Sequence, residues 1–221
     1  MAPGPTVDAD RAPVRIGVLA SGSGTILEAI LATDLPVRLV AADRPCRALE
    51  VAAGAGIPTV LIDRADFGGF GPGFDRDAFS RTVADALVAG GADIVVMAGY
   101  GTVLAQPVHD TYPGRILNTH PALLPAFPGW HAVRDALAAG VAETGTTVHV
   151  AHLEMDAGPI LAQARVAILP DDTEAALHER IKAVERSLYP ATIRTFIDDL
   201  ATRAFGGGLP PEHDPPEETT E

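Results

Sequence analysis

From Val14 to Thr119, short runs of Val, Ile and Leu alternate with stretches of helical character, and no other feature restricts the fold as much. The runs "VRIGVLA" (14–20), "VRLVAAD" (37–43), "PTVLID" (58–63), "DIVVMAG" (93–99) and "GRILNT" (114–119) read as strands. Between them, "GTILEAILAT", "CRALEVAAGAG", "FDRDAFSRTVADALVAGG" and "TVLAQPVHDTY" read as helices, with a Gly-rich loop ahead of the third. This order predicts one α/β domain: an open, doubly wound, mainly parallel, Rossmann-like sheet with helices on both faces. After residue 145 the pattern changes. "GTTVHVAHL" and "PILAQARVAIL" read as two paired strands around the polar loop "EMDAG", and a long amphipathic helix follows, with Thr173 as its N-cap and Pro190 as a kink. The folded domain is expected over 14–204. Residues 1–13 and 205–221, rich in Pro, Gly and carboxylates, are expected to be disordered tails.

Composition narrows the function classes. With 47% hydrophobic and 20% charged residues, and no apolar run long enough to span a bilayer, the chain reads as a soluble cytoplasmic protein with no membrane partner. Cys46 is the only cysteine, which excludes an internal disulfide and a cysteine-based metal cluster. The other candidate ligands show no metal spacing either, so no metal is expected. A net charge of −13 argues against nucleic acid as a partner. It also means that an anionic substrate has to be caught by a local device, such as a helix N-terminus, rather than steered from a distance. Among the sixteen basic residues Lys182 is the only lysine.

Two places carry chemistry. "ASGSGTIL" (20–27) leaves the first strand and opens the first helix, where small residues let a phosphate approach backbone N–H groups. It has two of the three glycines of the dinucleotide fingerprint, because Leu27 takes the third position, so a monophosphate suits it better than a dinucleotide. Asp43 could still imitate the ribose-binding acid of such proteins. The second place is "LNTHPALLP" (117–125). Asn118 and His120 are two residues apart on a strand and face the same side. There an amide can support an oxyanion and an imidazole can move a proton. The alternative is a well-capped strand end. Asp156, in "EMDAG", is either the partner of His120 or a turn residue, and His149 and His152 read as belonging to a strand and its edge.

Together, "LNTHPALLPAFPG", "TGTTVHV", "MDAGPILAQ" and "ERIKAVERSLYP" closely resemble the folate-dependent formyltransferases, over nearly the whole folded region. Among these the likeness is to the branch that formylates glycinamide ribonucleotide in purine synthesis. The resemblance implies the formyltransferase fold and 10-formyltetrahydrofolate as co-substrate. It implies Asn118, His120 and Asp156 as the catalytic residues. Gly24, Thr25, Ile26, Lys182 and Glu185 would bind the ribonucleotide. The backbone of Gly101, Thr102, Val103 and Leu104, with Asn118, would hold the folate ring, and Arg76 would lie near its carboxylate tail. Both partners are then small molecules, and the enzyme is a monomer or homodimer. Two positions depart from the family pattern: Ile26 stands where Asn is common, and "GTVL" (101–104) replaces the usual Met-Arg-Ile-Leu.

The implied reaction is attack of the ribonucleotide's amine on the formyl carbon. Asn118 and a charged His120 would donate to the oxyanion, while Asp156 would support the imidazole and order a water for the proton relay. Rival readings are a formyltransferase for a nucleotide sugar or another amine, which the altered "GTVL" favours, a nucleotide-binding domain without activity, and a dinucleotide-dependent oxidoreductase. A methionyl-tRNA enzyme would be expected to carry a further C-terminal domain and a basic surface, and a formyltetrahydrofolate hydrolase a further N-terminal domain.

Overall fold

In the computed structural model, which describes residues 14–203, seven strands form one sheet in the order β3-β2-β1-β4-β5-β6-β7. The expected tails, 1–13 and 205–221, and Ala204 lie outside the described residues. The chain runs β1 (Ile16–Ala20), α1 (Thr25–Leu31), β2 (Val37–Ala42), α2 (Arg47–Gly54), β3 (Thr59–Leu61), α3 (Arg76–Ala89), β4 (Ile94–Met97), α4 (Gln106–Thr111) and β5 (Ile116–His120). It ends with α5 (Ala132–Ala138), β6 (Glu143–Val150), β7 (Ile160–Ala167) and α6 (Glu174–Arg203). Strands β1 to β5 pair in parallel, and β6 and β7 extend the same sheet antiparallel.

Every residue of β1 and β4 is buried, as strands covered on both faces must be. Their side chains alternate between two cores. Ile16, Val18, Ile94 and Val96 pack with Ile26, Leu27 and Ile30 of α1 and with Tyr189 and Ile193 of α6. Leu19, Val95 and Met97 point the other way, onto Phe79, Val83 and Leu87 of α3. A smaller cluster joins Val133 of α5 to Val166, Leu177 and Ile181.

The sheet reverses its winding between β1 and β4, and the turns that leave these two strands frame an open crevice at their carboxyl ends. This is where ligands of open α/β sheets bind. The polar end of β5 reaches the same rim. The fully buried Tyr189 anchors α6 there by donating its hydroxyl to the Leu117 carbonyl at 2.8 Å.

Two expectations about elements need correction. The stretch "TVLAQPVHDTY" is helical only from Gln106. Pro107 fits the first turn, and Thr102–Ala105 are held irregular by bonds to side chains of other elements. Pro190 lies inside α6, which runs from Glu174 to Arg203. The Thr173 hydroxyl accepts Ala176 N–H at 3.2 Å, as an N-cap should. The second is an omission: α5 and a 3-10 turn at Arg64–Phe67 were not expected. Among the described residues no helix is long and apolar enough to cross a membrane.

Candidate active site

The turn after β1 opens α1 on a glycine. Gly24 takes the N-cap of α1 at φ 75°, a conformation that disfavours side chains, and a Cβ there would lie 3.0 Å from the Ala48 backbone. No side chain caps α1, so its first N–H groups remain open to the crevice. Two arginines brace this turn, Arg44 from the connection after β2 and Arg47 from the start of α2: Arg44 Nε donates to the Ser21 carbonyl at 2.7 Å, and Arg47 donates to the Ser23 carbonyl at 2.5 Å. Arg47 is also paired with Glu28 of α1, which leaves Arg44 as the local positive charge behind the turn.

Gly22–Ile26 form one wall of a cleft of about 310 Å³. Ala98 and Gly99, past β4, and Thr119 and Pro121, at the end of β5, form the floor, and His178, Lys182 and Glu185 of α6 close the far side. All five residues named from the resemblance as ribonucleotide contacts thus share one cavity. Glu185 is buried at 7% exposure and accepts the Thr146 hydroxyl at 3.2 Å. Burial raises its carboxyl above the ordinary range, offset in part by Thr146, Thr119 and Lys182. His178, which the sequence did not single out, is pushed below its ordinary value by burial and by Lys182.

Beside this cleft the polar end of β5 meets Asp156. The His120 ring is 4% exposed, and its Nδ1 lies 3.3 Å from Asp156 Oδ2. Its Nε2 lies 2.8 Å from the Phe127 carbonyl. Both ring nitrogens therefore face acceptors, the carboxylate at ion-pair distance and the carbonyl at hydrogen-bond distance. Asp156 is itself clamped, because its Oδ2 accepts Gly129 N–H at 2.8 Å. It sits at φ 60°, a left-handed conformation that Asp tolerates. Two residues on, Gly158 allows the hairpin between β6 and β7 to close, since a Cβ there would lie 1.7 Å from the Val150 carbonyl.

His149 completes the group, and sequence reasoning missed its role. The antiparallel register sets it opposite Asn118, where its Nε2 lies 3.3 Å from the Asn118 amide nitrogen. Its Nδ1 is 3.1 Å from the Val150 carbonyl. The network assigns the proton to Nδ1 and leaves Nε2 to accept from the amide. Asp156 Oδ1 is 3.7 Å from the same nitrogen. Burial lowers the His149 pKa, against smaller opposing contributions from the Val150 carbonyl and Asp156, and so favours this neutral form.

A pH dependence of stability follows. With the folded-state value below the ordinary 6.5, the unfolded chain binds the extra proton in the interval between them. Stability is complete above about 6.5 and is lost as the pH falls below it. His109 and His178, also lowered by burial, act in the same direction. Glu185, raised by burial, acts in the opposite sense between its ordinary value and its folded one. Thermal melts at pH 7.5 and 5.5 should show a lower midpoint at the acid value. His149→Asn should reduce that difference without abolishing it.

The remaining expectations separate. Gly101–Leu104 continue from the Ala98–Gly99 edge of the cleft. Leu104 is committed to the core and the Thr102 hydroxyl to Asp43, so the segment offers backbone rather than these side chains. Arg76 opens α3, is exposed, and does not line the cleft or form an ion pair among the described residues. Asp43 is fully buried on Arg64 and Thr102, which removes it as a ribose ligand and with it the support for a dinucleotide.

With this geometry in hand, the comparisons with known proteins are specific. A family model described as formyl transferase matches residues 14–193. The phosphoribosylglycinamide formyltransferase of Mycobacterium tuberculosis is 47% identical over 187 residues, covering 82% of this chain and 84% of that protein. Its counterpart in Escherichia coli K12 is 34% identical, covering 90% and 97%. The crystal structure of glycinamide ribonucleotide transformylase 1 from Symbiobacterium toebii superposes with a TM-score of 0.79 at 43% identity, covering 85% of this chain and 89% of that one. A chain matched over most of its length by the family model, and over most of theirs by such relatives, belongs to the formyl transferase family.

Proposed function

We propose that this protein transfers the formyl group of 10-formyltetrahydrofolate to the amine of glycinamide ribonucleotide. One observation carries the reading: the cleft with a phosphate-binding turn at one side reaches the carboxyl end of β5 at Thr119 and Pro121, and the group of Asn118, His120 and Asp156 lies at that same strand end. A ribonucleotide with its phosphate on the first turn of α1 would deliver its amine to that strand. The names of the relatives, at up to 47% identity, support the same acceptor over a nucleotide sugar.

In this reading the amine nitrogen attacks the formyl carbon and negative charge gathers on the formyl oxygen. The Asn118 amide, held by His149, donates to it. His120 Nε2–H exchanges the Phe127 carbonyl for the same oxygen. Collapse breaks the bond to the folate nitrogen, which takes up a proton as the new ammonium loses one, and Asp156 and His120 are placed to hold the relay between them. The folate ring lies on the backbone of Gly101–Leu104. Lys182 and Glu185 meet the polar body of the ribonucleotide.

Absorbance at the deformylated folate band, with 10-formyltetrahydrofolate or its 5,8-dideaza analogue as donor, tests the proposal. Formyl loss should require glycinamide ribonucleotide. Loss without any acceptor would indicate a hydrolase, and loss only with a nucleotide-sugar amine would transfer the reading to that acceptor.

A further inference from the structure

Residues 98–105, between β4 and α4, form no regular element, yet most of them are buried. Polar groups of such a segment need partners outside any ladder. They find them on side chains of three other elements. Ser21, just past β1, accepts Gly101 N–H at 2.6 Å. Ser80 of α3 accepts Ala105 N–H at 2.8 Å. Between them, Asp43 Oδ2, just past β2, accepts the Thr102 hydroxyl at 2.6 Å.

Asp43 is the unusual member. It is wholly buried, and the oxygen that takes Thr102 also takes Arg64 Nη1 at 2.6 Å. Its other oxygen, Oδ1, has no partner among the described residues. A buried carboxylate with one oxygen unpaired is costly, and an apolar pair of similar volume is often as stable. Its retention therefore calls for another reason. The residue it ties down is Thr102, one of the two positions where this chain departs from Met-Arg. Arg64 in turn lies over the Phe70 ring at 4.0 Å, which joins the 64–75 connection to the same anchor.

We propose that Asp43, braced by Arg64, is a positioning residue for the formyl-donor pocket: through Thr102 it fixes the backbone of 101–104 and so sets affinity for the folate but not for the ribonucleotide. The proposal rests on the assignment of Gly101–Leu104 to the folate ring. At the second position of this segment the chain has a hydroxyl, and that hydroxyl anchors the segment from behind.

Calorimetric titration of the whole protein with 10-formyl-5,8-dideazafolate, without acceptor, tests this together with KM for each substrate. Thr102→Val keeps the shape and removes the hydroxyl. It should weaken the analogue roughly tenfold, the scale of one hydrogen bond to a charged group. KM for the donor should rise in parallel while KM for the ribonucleotide stays near that of the wild type, and the melting midpoint should fall because the buried Asp43 carboxylate loses one of its two partners. Thr102→Ser should restore analogue binding. Asp43→Asn, which also releases Arg64, should weaken binding further and lower the melting midpoint. Unchanged analogue affinity in Thr102→Val, or an equal rise in both KM values, would overturn the tether while leaving the reaction intact. A wild-type protein that binds no analogue would overturn the folate assignment, and this inference with it.

Discussion

Replacing His120 by alanine should lower turnover roughly 10²–10⁴-fold, the range for loss of an acid–base or oxyanion-stabilising group. The ribonucleotide's KM should change little, because the residues proposed to hold its phosphate and ribose line the cleft and His120 does not. Stability should suffer modestly. The ring is buried, but Asp156 keeps its bond from Gly129 N–H, so the loop clamp survives the substitution. Steady-state kinetics and a melting curve on the same preparation decide the matter. Turnover near the wild-type level together with early melting would make His120 a structural cap on β5.

Asp156→Asn should damage turnover on a similar scale with less effect on folding. The amide oxygen can still accept Gly129 N–H, so the loop should close as before. What changes is the group facing two imidazoles. A neutral amide no longer supports a charged His120 at Nδ1, and its nitrogen brings a donor where the carboxylate had only acceptors. The side chain is 6% exposed, so little water would make up the difference. The readout is kcat against pH beside the melting midpoint. An active Asp156→Asn enzyme would reduce this carboxylate to a clamp between the 125–131 and 151–159 segments.

Parts of this molecule differ in how plainly the sequence shows them, and the difference has physical causes. Strands β1 and β4 announce themselves because parallel strands buried on both faces read as continuous apolar runs, and β2 and β5 do so through shorter apolar stretches. The turn after β1 shows through Gly24, whose backbone conformation limits what can stand there. Helix α5 is invisible because its seven residues are too few to display a period and no side chain caps it. It is held instead by Val133 packing on Val166, Leu177 and Ile181, which are contacts distant in sequence. His149 was placed on a strand but not assigned to Asn118, because that contact depends on the register of β6 against β5 and no local pattern states a register. Asp43 was read for the chemistry of its position after β2. Its partners Arg64 and Thr102 are 21 and 59 residues away, and only the fold brings them together.

Lys182 of α6 lines the cleft opposite the first turn of α1 and is the only lysine in 221 residues. Apart from the chain's α-amino group, an amine-selective reagent has one side-chain target, and that target reports on the cleft. Acylation, or reductive capture of an aldehyde, would therefore install one probe in the cleft without any engineered residue. Slower labelling in the presence of a bound nucleotide would read out occupancy of the cleft before any reaction is assayed.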